Sequence, residues 1–228
     1  MSDIAMPSGG AHDHGHAHDH PKFLQHHFHS AKQQFEASKL GMWLFLVTEI
    51  LLFSGLFLAY FMLQARHPEA FISAHHHLDR TMGLVNTVVL LISSFTMVMA
   101  VQSAALSRTK ATLAYLYVTL GLGGTFMVIK YFEYMHKIHD GLLPGNLYSY
   151  AGASVPGEYL FFSMYFVMTG IHGIHILAGM GVIAYLIYRT HKGDYSSAYY
   201  TPVDLTGLYW HLVDLIWIYL FPLLYLVS

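Results

Sequence analysis

No cysteine occurs in the 228 residues, which removes disulfides, thiolate metal sites and covalently attached haem from the chemistry open to this chain. Charge is scarce as well. Asp, Glu, Lys and Arg make up 11% of the sequence, roughly half the share usual in a soluble domain. A net charge of -2 offers no basic surface for a nucleic acid. The amino end lacks the basic start, apolar run and small-residue cleavage site of a secretory signal. Hydrophobic residues instead account for 55% of the chain, a composition suited to lipid.

Residues 1–38 differ from the remainder of the chain. His12, His14, His16, His18 and His20 alternate with Asp, Gly and Ala in a low-complexity stretch without large apolar residues. Such a stretch buries too little surface to offset its conformational entropy, so it is read as a disordered, solvated tail. Weak binding of zinc, nickel or copper is the functional alternative; flexible imidazoles with no supporting partners hold metals poorly.

Residues 39–228 carry five apolar stretches, at about 40–63, 81–106, 112–135, 157–188 and 205–227. Each is long enough to cross a hydrocarbon core of about 30 Å. The fold class expected is therefore all-α, a five-helix transmembrane bundle behind a His-rich tail. Lys22, Lys32, Lys39, Arg108, Lys110, Arg189 and Lys192 fall on the amino-terminal side, against Arg66, Arg80, Lys130 and Lys137 on the other. The basic excess puts the amino terminus in the cytoplasm and the carboxyl terminus outside. Pro144, Gly145 and Gly152 mark an irregular external loop over 136–156, and His75, His76 and His77 are expected to be solvated on another.

Ionisable residues inside the spans are costly and therefore informative. Glu49 falls near the middle of the first span, where it needs a proton, a hydrogen bond or a polar cavity. Lys130 and Glu133 stand three apart near the outer end of the third, placed to pair or to snorkel. His172 and His175 share a face of the fourth, and His211 and Asp214 a face of the fifth. These four can satisfy one another across two helices or bond carbonyls, a reading favoured over a metal site. Axial haem ligation would need histidine pairs at consistent depth, which the chain lacks. Gly121, Gly124, Gly170 and Gly173 are expected to admit close helix neighbours, and Trp43, Trp210 and Trp217 to anchor or pack.

Several of these residues form an ordered pattern. Trp43 through Glu49, Asn86-Thr87 with Ser93-Ser94, Glu133-Tyr134, Thr169-Gly170-Ile171-His172-Gly173-Ile174-His175, and Trp210-His211 with Val213-Asp214 and Trp217 resemble, span by span, subunit III of the haem-copper respiratory oxidases. Lys130 stands where that family commonly has glutamine. The family commonly has seven helices, and this chain begins at what resembles the third. The first helix pair, which with the rest of the bundle forms a lipid-holding cleft, has no counterpart here; a neighbouring subunit can supply it.

The resemblance implies an accessory subunit of a proton-pumping oxidase that reduces oxygen to water in aerobic electron transport. It would sit in the bacterial cytoplasmic membrane beside subunits I and II, phospholipids and other respiratory complexes. Haem and copper would reside in partner subunits, with cytochrome c as donor. Glu49 would support proton uptake or contact lipid and subunits, while Glu133, His172, His175, His211 and Asp214 hold the bundle. A quinol oxidase or nitric-oxide reductase subunit is the near alternative. A divalent-metal transporter is the distant one, though such proteins gather carboxylates or histidines at one midplane site. Removing residues 3–29 takes away no spanning residue, so membrane insertion and oxygen reduction are expected to stay near normal, with only weak metal binding lost. A collapse of oxygen consumption rescued by added copper would instead make the tail a metal carrier.

Overall fold

The computed structural model describes residues 30–150 and 155–226; His12, His14, His16, His18 and His20 lie outside them. The described residues form six α-helices: α1 (Ala31–Arg66), α2 (Pro68–His75), α3 (Arg80–Ala105), α4 (Thr109–His139), α5 (Glu158–His191) and α6 (Thr201–Phe221). All but α2 are long and apolar enough to cross a membrane, the sixth element continuing through a π-helical turn, Pro222–Leu226. The spans match the apolar stretches, and α1 and α4 overrun theirs at both ends. Helix α1 begins eight residues before the expected boundary at residue 39, because Ser30 caps it by accepting from the Gln33 amide and the residues after it favour helix. Apolarity marks only the portion of a helix that lies in lipid.

Helix starts are set locally. The Asp79 carboxylate accepts from the Thr81 and Met82 amides at 2.8 and 3.2 Å. Pro68 and Pro202 occupy first-turn positions, where the missing N–H costs nothing. Between α3 and α4 the reversal takes three residues and leaves Ser107 at a φ of 56°. The Ser107 hydroxyl then accepts from the Ser197 amide, tying this turn to the α5–α6 connection.

Helix α3 packs against α4 and α6, and α5 closes the group by packing on the same two helices. Helix α1 lies outside this group, against α5 and α6, with Trp43, Leu44, Val47, Ile50, Leu51 and Leu58 left uncovered. Two tryptophans fill the centre. Trp210 donates to Ser93 at 3.0 Å and Trp217 to Thr87 at 3.1 Å, so each buried indole is satisfied and fastens α6 to α3. Trp43 is exposed.

Glycine permits this packing, but not where expected. A Cβ on Gly179 would stand 2.8 Å from the Trp210 ring and one on Gly123 would stand 3.0 Å from its other edge. Gly121 meets nothing within 4 Å, and Gly124, Gly170 and Gly173 meet only atoms at 3.9 Å. Spacing along one helix identifies a smooth stripe; which stripe faces a bulky ring depends on the neighbouring helix. Gly179→Ala is expected to destabilise by about 1–3 kcal/mol through overpacking against a rigid indole. Gly181→Ala, which meets open space, should be neutral or slightly stabilising. Thermal unfolding of both variants in detergent tests the contrast, and equal effects would sink it.

The His75 expectation needs correction. This residue ends α2 and is buried, its Nδ1–H donating to the Ile72 carbonyl and its Nε2 accepting from Arg80, each at 2.8 Å. An unrecognised short helix folds it inward, beyond the reach of span-length reasoning.

Candidate functional site

Four polar groupings occupy the bundle. The first joins α1 to α5: His175 Nε2 lies 2.7 Å from Glu49 Oε2. His175 Nδ1 faces the Ile171 carbonyl at 2.8 Å, and a carbonyl only accepts, so Nδ1 carries a hydrogen. One further proton therefore lies between Nε2 and Oε2, whether the pair is written as imidazolium and carboxylate or as imidazole and carboxylic acid. Without it two acceptors would face each other at 2.7 Å. The pair keeps 16% and 15% of its side-chain surface and sits on the outside of the α3–α6 group. Phe53 lies against the ring, and the Tyr209 hydroxyl donates to the His175 carbonyl at 3.0 Å.

A second grouping ties α4, α5 and the carboxyl-terminal turn together. The Lys130 ammonium donates to Glu133 Oε2 at 2.9 Å, to the Tyr225 hydroxyl at 2.9 Å and to the Tyr165 hydroxyl at 3.2 Å, using all three hydrogens. Tyr165 and Tyr225 in turn donate to Glu133 Oε1 at 2.8 and 2.5 Å. Lys137 stands 3.8 Å from the same oxygen, and the Trp217 ring lies under Lys130 at 4.8 Å. Lys130 and Glu133 thus pair as expected, but buried rather than snorkelling. The tyrosines were not foreseen; they lie on other helices.

The expected mutual satisfaction of His172, His175, His211 and Asp214 is not what forms. His175 turns to Glu49. His211 Nδ1 bonds the Ser94 hydroxyl of α3 at 2.7 Å. His172 is fully buried between Phe126 and Trp217, and neither of its ring nitrogens has a hydrogen-bond partner. Both carboxyl oxygens of Asp214 are also without one, as is the side chain of Asn86. Residues three apart on a helix share a general direction, yet different neighbouring helices capture them.

The fourth grouping anchors the connection between α4 and α5. Glu158, buried at the start of α5, accepts from the Tyr148 hydroxyl and from Ser73 of α2, each at 2.7 Å, and from the Val155 amide at 3.3 Å. Burial and the adjacent carboxylate hold the Tyr148 phenol well above its usual range. Glu158 follows Pro156-Gly157 directly, a helix-start pattern that could have placed it in a first turn.

The sequence matches the family model described as Cytochrome c oxidase subunit III over residues 20–228. The chain belongs to the cytochrome c oxidase subunit III family. It is 29% identical over 214 residues to Cytochrome c oxidase subunit 3 of Thermostichus vulcanus, covering 93% of this chain and 92% of that one. Quinol oxidase subunit 3 of Bacillus spizizenii is 32% identical, over 83% of this chain and 86% of the relative. Cytochrome bo(3) ubiquinol oxidase subunit 3 of Pseudomonas aeruginosa is 30% identical, over 96% and 93%. As a subunit III chain, this is a membrane-embedded accessory subunit of a haem-copper oxidase.

The Lys130 network allows a test of how such a subunit is held together. Glu133→Leu strips two cations, Lys130 and Lys137, and two phenols of their carboxylate partner and is expected to cost about 3–5 kcal/mol. Lys130→Gln, which keeps a donor toward Glu133 and the tyrosines, should cost less. Equal losses of thermal stability for the two would overturn this account of the network.

Proposed function

We propose that this chain buttresses the catalytic subunit of a bacterial oxidase and supports its proton supply through the Glu49–His175 pair. The observation that carries the reading is the 2.7 Å contact between His175 Nε2 and Glu49 Oε2, partly exposed along α1. While it holds the shared hydron the pair is neutral as a whole, which suits its depth in lipid, and the partly exposed imidazole gives it contact with groups outside the bundle. The uncovered apolar face of α1 beside it supplies area for subunit I and for phospholipid. Subunit II and other respiratory complexes complete the assembly.

The basic end of the bundle, where Lys39 of α1 pairs with Asp204 of α6 at 3.1 Å, lies in the cytoplasm by the positive-inside rule. The bundle then spans the bacterial cytoplasmic membrane with its carboxyl terminus outside. Cytochrome c is the donor we favour, from the family description; the relatives named as quinol oxidases keep quinol as the second reading. Haem and copper belong to the partners. Ring contacts at 5.6 and 5.3 Å from Phe126 and Trp217 enclose His172, a packing that does not fit an axial haem ligand. Among the described residues no group of three or more His, Asp or Glu side chains is placed to hold a metal ion, which leaves the transporter reading without a midplane site there.

Glu49→Gln keeps a donor toward His175 Nε2, whereas Glu49→Ala leaves the imidazole unpaired at a cost of about 1–3 kcal/mol. Neither change is expected to abolish oxygen reduction at once. Ala should weaken subunit retention and durability over many turnovers more than Gln does. Oxygen consumption and subunit content measured through prolonged turnover check this, and immediate, complete inactivity of a fully assembled Gln variant would make Glu49 an obligatory proton donor.

A further inference from the structure

Where α2 ends, α3 begins and α4 ends, a pocket of about 450 Å³ is lined by Glu133, Lys137, His76, His77, Asp79 and His136. The Lys137 side chain keeps 3% of its surface, so its ammonium is almost entirely withdrawn from solvent. That ammonium carries three hydrogens. The protein meets them only at long range, with the His77 carbonyl at 3.5 Å, Glu133 Oε1 at 3.8 Å and the Tyr165 ring at 5.3 Å. Lys130, one network with it, spends its own hydrogens at 2.9, 2.9 and 3.2 Å. A buried ammonium without close acceptors is costly, and this one borders an open pocket.

The charge balance points the same way. Lys130 and Lys137 share one buried carboxylate, Glu133, which leaves one positive charge in excess beneath the pocket. Both Glu133 oxygens are committed, Oε1 to Tyr165 and Tyr225 and Oε2 to Lys130. The remaining charged groups stand nearer to water and are engaged there: Asp79 caps α3 through Oδ1, Asp140 lies 3.4 Å from His136, and Arg80 bonds His75. Solvent screens charges at such a rim, whereas a buried excess is screened much less.

We propose that this pocket binds an oxyanion of the phosphate type, with the Lys137 ammonium as its buried counter-charge. Lysine serves phosphate oxygens as a point charge, and the imidazoles of His76 and His77 each carry at least one further N–H. A free phosphate ion and the phosphodiester of a phospholipid headgroup present the same oxygens. Lys137 lies two residues before the end of α4, at the edge of a span, a depth within reach of either. The site lies away from Glu49 and His175 and does not rest on the proton-supply reading.

Thermal unfolding of this subunit within the intact oxidase complex, stripped of lipid by detergent exchange, tests the site. Inorganic phosphate is titrated against chloride at constant ionic strength, and micelles doped with phosphatidylglycerol against micelles doped with diacylglycerol. Saturable protection is expected in wild type. Lys137→Gln should need about tenfold more ligand or worse for the same protection. Asp79→Asn keeps a capping side chain and removes the rim carboxylate, so it should need about threefold less. A gain in affinity cannot come from a damaged fold, so Asp79→Asn decides even where Lys137→Gln assembles poorly. Protection by phosphate itself in that order of variants assigns a free anion, and protection by the phosphatidylglycerol micelles alone assigns a headgroup. Equal protection of wild type and both variants, or none beyond the chloride and diacylglycerol references, would leave water as the only partner of the ammonium and overturn the site.

Discussion

A carboxylate in hydrocarbon must meet a proton, a cation or several donors, and the architecture of this bundle depends on how each one does. Glu133 is met by Lys130 and two tyrosines, which obliges α4, α5 and the carboxyl-terminal turn to converge. Glu49 is met by His175, which fixes where the otherwise apolar α1 rests against α5. Glu158 is met by Tyr148 and Ser73, which draws α2 and the α4–α5 connection onto the start of α5. Van der Waals packing alone would let apolar helices slide in lipid; these polar contacts give them register.

Packing and polarity are coupled through the tryptophans. Trp210 fits because Gly123 and Gly179 leave room on either side, and its indole nitrogen then reaches Ser93. Trp217 bonds Thr87, stacks edge-on to Phe126 at 4.9 Å and forms the floor beneath Lys130. The same ring lies between the Lys130 network and the part of α6 where His211 bonds Ser94.

The five spans, the basic end and the identity of the intramembrane ionisable residues were legible in the sequence, because length, hydropathy and charge are properties of one segment at a time. So was the Lys130–Glu133 pair, set by helical spacing. Pairings between helices were not. Glu49 with His175 spans 126 positions and His211 with Ser94 spans 117, and no local pattern distinguishes these from the mutual pairing of His172, His175, His211 and Asp214 that spacing suggested.

Sequence alone therefore determined that this chain is an all-α membrane bundle and which family its ordered motifs resemble, since the cost of placing backbone and charge in lipid admits few alternatives. Tertiary structure decided which histidine faces which acid, which glycine seats a tryptophan, and which carboxyl is buried without a hydrogen-bond partner. Those choices depend on helix rotation and depth, which arise only when all the faces compete for contact at once.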